Sequence, residues 1–216
     1  MKKVLTIVIS IALITALAIG GTLAYLSSNA NGTNLENTFT TSTAGSKLAI
    51  ALDEAKVDPK TGLELTGAKA ARITANEYPV IPGATMDKDP TVTVLADSSP
   101  CYVFVYVENA AKMNGKDVAA TGQIDSNWTL VDSTKYPGLY VYSATQDKIV
   151  PTSQDNETLP AVFNTITIDP TLNIEDIAEG AEGRINVQAY AYQASANVSY
   201  ETAKDAVIEH FFPANS

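Results

Sequence analysis

The stretch CYVFVYVEN (Cys101–Asn109) puts Cys101, Val103, Val105 and Val107 on one side of an extended chain and Tyr102, Phe104 and Tyr106 on the other. Side chains of a strand point alternately to its two faces, so a run that is apolar on both faces predicts a strand covered from above and below, in the middle of its sheet. The same period of two recurs on either side. SKLAIALDE sets Leu48, Ile50 and Leu52 against Ala49 and Ala51, and PTVTVLA sets Val92 and Val94 against Thr91 and Thr93. WTLVD, GLYVYSA, AVFNTITID and RINVQAYAYQA continue the pattern, and with one or two strands in residues 68–80 the count reaches about eight.

Turn residues separate these runs. Pro82-Gly83 in IPGATMDKDP joins a residue of fixed φ to one that accepts positive φ, and DPKTG and YPG offer the same chemistry. Helical periodicity is scarce. It is clearest in SYETAKDAVIEHFF, where Ser199 can cap the first turn, Glu201 faces the positive end of the helix dipole, and Ala203, Val207 and Phe211 recur every four residues. A shorter helix is expected in NIEDIAEG, ended by Gly180. Many short strands with Gly and Pro corners predict an all-β chain, a jelly-roll-like two-sheet β-sandwich carrying one or two short helices. No internal repeat or low-complexity linker divides it, so one sandwich domain is expected over residues 47–216.

Ahead of that domain, Lys2 and Lys3 precede an uncharged, largely apolar stretch from Val4 to Ile19, followed by Gly20, Gly21 and the small-residue pattern Thr22-Leu23-Ala24. Basic, apolar and small segments in that order predict a signal peptide, helical in its apolar part, over residues 1–24, cut between Ala24 and Tyr25. A retained membrane anchor is the competing reading, since roughly 20 apolar residues cross a bilayer. Export places the chain outside the cell, secreted or held at the surface. Residues 25–46 then form a mature N-terminal extension that meets no charge until Glu36 and is rich in Thr and Asn. Such a segment reads either as a flexible tail or as a strand that can pair along a sheet edge without burying an ion.

Charge narrows the partners. The net charge is −10, and loss of Lys2 and Lys3 with the signal makes it −12. That surface repels nucleic acid and anionic membranes, leaving membrane contact to the uncut signal. Cys101 is the one cysteine, so no intrachain disulfide forms, and its apolar neighbours predict a buried thiol.

The blocks GGTLAYLSS, NTFTTSTAGSKLAIALDE, YPVIPGATMDKDPTVTVLADSSPCYVFVYVEN, LPAVFNTITID and INVQAYAYQASANVSYETAKDAV, in this order, resemble the exported proteins of Gram-positive bacteria processed by the alternative signal peptidase SipW. That family includes the biofilm-matrix fibre protein TasA and the surface protein camelysin (CalY). The resemblance implies a jelly-roll subunit that joins extracellular fibres by donor-strand exchange, the freed N-terminal segment of one copy lying in a groove of the next. Carried over here, the donor starts at Tyr25 and includes Thr38, Phe39 and Thr40. The implied partners are copies of the chain itself, a SipW-type signal peptidase and other matrix proteins, with no cofactor.

Camelysin has been described as a metalloprotease, and that activity is tested by the residues. The HExxH zinc motif needs two histidines one helical turn apart, and His210 is the only histidine in the chain. No GxSxG surrounds a serine, and neither Cys101 nor any serine has a base beside it in a known motif. Asp87 with Asp89, and Asp155 with Glu157, do not match the calcium loop and read as surface charge. No catalytic, cofactor or metal residue is therefore expected. The pairs Tyr102/Tyr106, Tyr140/Tyr142 and Tyr190/Tyr192 leave two readings: an aromatic face for glycan or protein in a monomeric surface module, or tyrosines that stiffen the sheet and pack under a helix.

Overall fold

The structure, a computed structural model, describes residues 21–27, 48–108, 110–113, 116–142, 155–173, 175, 183–194 and 198–213, the first of these segments by its backbone alone. Thirteen strands are formed among the described residues, all paired antiparallel. They are β1 (Gly21–Ser27), β2 (Ile50–Ala55), β3 (Arg72–Ile73), β4 (Thr85–Asp87), β5 (Thr91–Val94), β6 (Cys101–Val107) and β7 (Ala110–Met113). After these come β8 (Lys116–Thr121), β9 (Trp128–Asp132), β10 (Tyr136–Tyr142), β11 (Glu157–Thr158), β12 (Thr165–Ile168) and β13 (Asn186–Gln193). One α-helix, α1 (Tyr200–Phe211), closes the described chain.

The all-β sandwich expected from the alternation is what forms. Its strands are shared among a five-stranded sheet, β1-β13-β6-β10-β9, and two four-stranded sheets, β11-β5-β2-β3 and β4-β12-β8-β7. Strand β6 lies in the middle of the largest sheet, between β13 and β10, as its two apolar faces predict. Cys101, Val103, Val105 and Val107 join the main core, which also takes Leu48, Ile50 and Leu52 of the β2 segment, Val92 and Val94 of β5, and Ile166 and Ile168 of β12. Tyr102, Phe104 and Tyr106 face the other way, into a second cluster beneath α1. Burying each such side chain contributes roughly 1.5–3 kcal/mol, and both faces of β6 share in it.

The corners are those the turn residues predict. At Ile81–Ala84 the Ala84 N–H donates to the Ile81 carbonyl at 2.9 Å, and Gly83 takes φ +78° in the position that a type II turn reserves for glycine. Gly138 has φ +84°, and a Cβ there would lie 2.3 Å from the Val107 carbonyl oxygen. It sits where β10 shifts register against β9, so the glycine lets the bulged strand press onto β6. Asp132 closes the β9–β10 turn by accepting from the N–H groups of Lys135 and Thr134, which holds its carboxyl below the usual range.

Helix α1 also follows its sequence. The Ser199 hydroxyl accepts from the Thr202 N–H at 3.2 Å, and Ala203 and Val207 are buried against the sheet. The shorter helix expected in NIEDIAEG falls largely outside the described residues.

Cys101 is fully buried, and loss of solvent pushes its thiol up to about 12. Because only the thiolate attacks, the native protein is expected to resist thiol-modifying reagents at neutral pH and to take up one equivalent once unfolded in denaturant. Rapid labelling of the folded chain would contradict this packing.

Candidate functional site

Two places in the fold hold features that the core does not need. The first is the outer edge of the five-stranded sheet. Strand β1 forms that edge, pairing with β13 from Gly21↔Tyr192 through Ala24↔Ala189 and Tyr25↔Gln188 to Ser27↔Asn186. The expected cleavage residues Ala24 and Tyr25 therefore lie in mid-strand, and the bond between them divides the seven-residue strand into four residues before it and three after. On its other side β13 is fully engaged with β6, from Val187↔Val107 to Gln193↔Cys101. The expected donor residues Thr38, Phe39 and Thr40 lie outside the described residues, as does the apolar stretch Val4–Ile19. Among the described residues no helix is long and apolar enough to cross a membrane.

The tyrosines divide by strand. Tyr102, Tyr106, Tyr190 and Tyr192 lie under α1, where Tyr106 stacks on Phe211 at 5.4 Å and Tyr102 meets Tyr200 edge-on at 6.0 Å. Tyr140 and Tyr142 turn to the main core, where Tyr142 meets the Trp128 ring at 5.4 Å. They pack under a helix and within the sandwich, the second of the two readings given above. His210 sits in the last turn of α1 with its ring 5.2 Å from that of Tyr190. Among the described residues no three His, Cys, Asp or Glu side chains are grouped so as to hold a metal ion.

The second place is a buried polar cluster that sequence reasoning missed. Lys88 and Glu54 have no solvent exposure, and Lys88 Nζ lies 2.6 Å from Glu54 Oε2. Glu54 Oε1 accepts from the Asn76 N–H at 3.1 Å. Asn76, itself buried, uses its side chain like a piece of strand: Oδ1 accepts from the Val57 N–H at 2.9 Å and Nδ2 donates to the Ala55 carbonyl at 2.8 Å. The Tyr78 ring lies 5.5 Å from Lys88 Nζ, and its hydroxyl donates to the Asp87 carbonyl at 3.1 Å. Burial, then the nearby Glu54 charge, holds that phenol well above its ordinary range.

A more exposed layer surrounds the pair. Asp89 accepts from the Ala55 N–H at 2.6 Å and from Arg72, which also bridges to Asp53 at 2.7 Å. Asp87 accepts from the Glu64 N–H at 2.7 Å. Asp87 and Asp89 thus bind the segments around β2 together and are more than the solvated charges their sequence suggests.

A signal for the cluster exists in the register. Glu54 continues the inward parity of Leu48, Ile50 and Leu52, and Lys88 continues that of Met86. Two opposite charges at inward positions are the mark of a buried pair. Compared with family models, with curated proteins and with solved structures, the chain matches none.

Proposed function

We propose that this chain is an exported structural subunit that assembles by donor-strand exchange into extracellular fibres of a biofilm matrix or cell surface, in the manner of the SipW-processed proteins it resembles. The observation that carries this reading is the position of Ala24 and Tyr25 inside edge strand β1. Cleavage there removes the partners of Ala189, Tyr190, Ala191 and Tyr192 and leaves backbone N–H and C=O groups of β13 without their rungs. An opened edge of this kind accepts a strand from another chain.

The freed segment has the means to supply one. Twenty residues separate Ser27 from Leu48, and at about 3.3 Å per extended residue they span roughly 66 Å, enough to reach an adjoining copy. Ala189 and Ala191 of that edge face the main core, so a donor strand that pairs there sets alternate side chains, Phe39 among the candidates, toward apolar surroundings. Pairing of one copy's segment with the next copy's edge is head-to-tail, and unless the rotation closes a ring it produces filaments. The alternative of a monomeric aromatic binding face is less favoured, because four of its six tyrosines lie under α1.

The test uses chain beginning at Tyr25 beside the same chain lacking residues 25–45. Electron micrographs of the first are expected to show filaments after incubation at neutral pH, and those of the second none. Equal polymer growth from both would refute strand donation. A stable monomer that binds glycan saturably would favour the surface module instead.

A further inference from the structure

The cluster around Lys88 contains more than an ion pair requires. A lysine ammonium and a carboxylate removed from water each cost several kcal/mol before their attraction repays it. Here a third polar side chain, the Asn76 carboxamide, is buried beside them. Glu54 bridges the two residues, one oxygen on Lys88 Nζ and the other on the backbone N–H of Asn76. The Asn76 carbonyl oxygen is already held by the Val57 N–H, which would steady negative charge developing on it. An amine, a carboxylate within reach to move protons, and a polarised carboxamide out of bulk water are the parts that amide exchange needs.

We propose that Lys88 and Asn76 become joined by an intramolecular isopeptide bond, with Glu54 as the proton carrier. Glu54 takes a proton from the Lys88 ammonium, which leaves a neutral amine and a neutral carboxyl and removes both buried charges. The Nζ lone pair then attacks Asn76 Cγ, and the carbonyl π electrons move onto Oδ1, facing the Val57 N–H. Glu54 gives its proton to Nδ2 and takes one from Nζ. As the oxyanion collapses, the Cγ–Nδ2 bond breaks and ammonia leaves. The Nζ–Cγ amide is the bond formed, and the step needs no oxidant, reductant or co-reactant. Ammonia departs as the neutral molecule and Glu54 stays a neutral carboxyl, so no unpaired charge is left in the core. The product ties the residue following β4 to the segment that leads out of β3, alongside β2.

The experiment is intact-mass spectrometry on the purified, folded chain, which needs no variant. The expected mass lies below that of the sequence by one ammonia, and proteolysis yields a branched peptide containing both Lys88 and Asn76, uncut by trypsin after Lys88. Glu54→Gln and Asn76→Ala, each checked for native circular dichroism, are expected to return the full sequence mass. A folded wild-type chain with the full sequence mass overturns the proposal. So does an ammonia deficit that maps to Asn31-Gly32 or Asn114-Gly115, where asparagine cyclises on its own backbone.

Discussion

Lys88→Met is expected to lower the stability of the fold by about 3–5 kcal/mol, the cost of leaving the other member of a fully buried ion pair without its partner. Against a total of roughly 5–15 kcal/mol for an ordinary domain, that is a large fraction. The reason is local: Glu54 is wholly buried, and after the substitution only the Asn76 N–H remains of the two contacts described for its carboxylate. Urea denaturation followed by circular dichroism measures the loss. The double variant Lys88→Met/Glu54→Leu is expected to recover the share of the loss that comes from the stranded charge, because an apolar pair of similar size removes it. A deficit that persists in the double variant is the share expected of the proposed tie between Lys88 and Asn76. A single variant as stable as the wild type would mean that Glu54 is not held in a dry interior.

The second large effect belongs to the opposite face of the big sheet. Phe104 is fully buried beneath α1, and its ring stacks on that of Tyr200 with centroids 6.1 Å apart. Phe104→Ala removes that ring from a site walled by β6, its neighbours and the helix, and a loss of about 3–5 kcal/mol is expected. Because Tyr200 and Phe211 of α1 pack on rings of the sheet beside the buried Ala203 and Val207, the helix is also expected to loosen, uncovering Tyr102, Tyr106 and Tyr192. Near-ultraviolet circular dichroism and binding of a hydrophobic dye report that uncovering. A change below about 1 kcal/mol with an unaltered aromatic signal would show that α1 does not depend on this ring.

Much of this fold was legible because its signals are local. The period of two in Cys101–Val107 predicts both the strand and its central place, and Pro82-Gly83 predicts a corner that the backbone forms. Ser199, Ala203 and Val207 similarly predict the cap and buried face of α1. What escaped was long-range. Nothing near Ala24 indicates that it will pair with Ala189, and in the string Met86-Asp87-Lys88-Asp89 only the shared parity with Met86 sets the lysine apart, without naming its partner. The parity of Glu54 was visible, but its meaning needed Lys88 to be brought beside it from 34 residues away. The partition of the remaining strands into two four-stranded sheets depends on β11 and β12 returning to β5 and β4, which no local pattern records.

Strand β1 leaves the ribosome long before its partner β13, with eleven other strands between them in the described chain. Until Asn186–Gln193 has emerged, the edge that β1 occupies does not exist, and closing so long a loop is slow. The peptide bond after Ala24 therefore passes through an interval, set by the rate of synthesis and folding, in which it lacks its β13 partner and is open to a protease. Once β13 docks, that interval ends, and the timing of the proposed cut relative to completion of the sheet becomes a property written into the order of the strands.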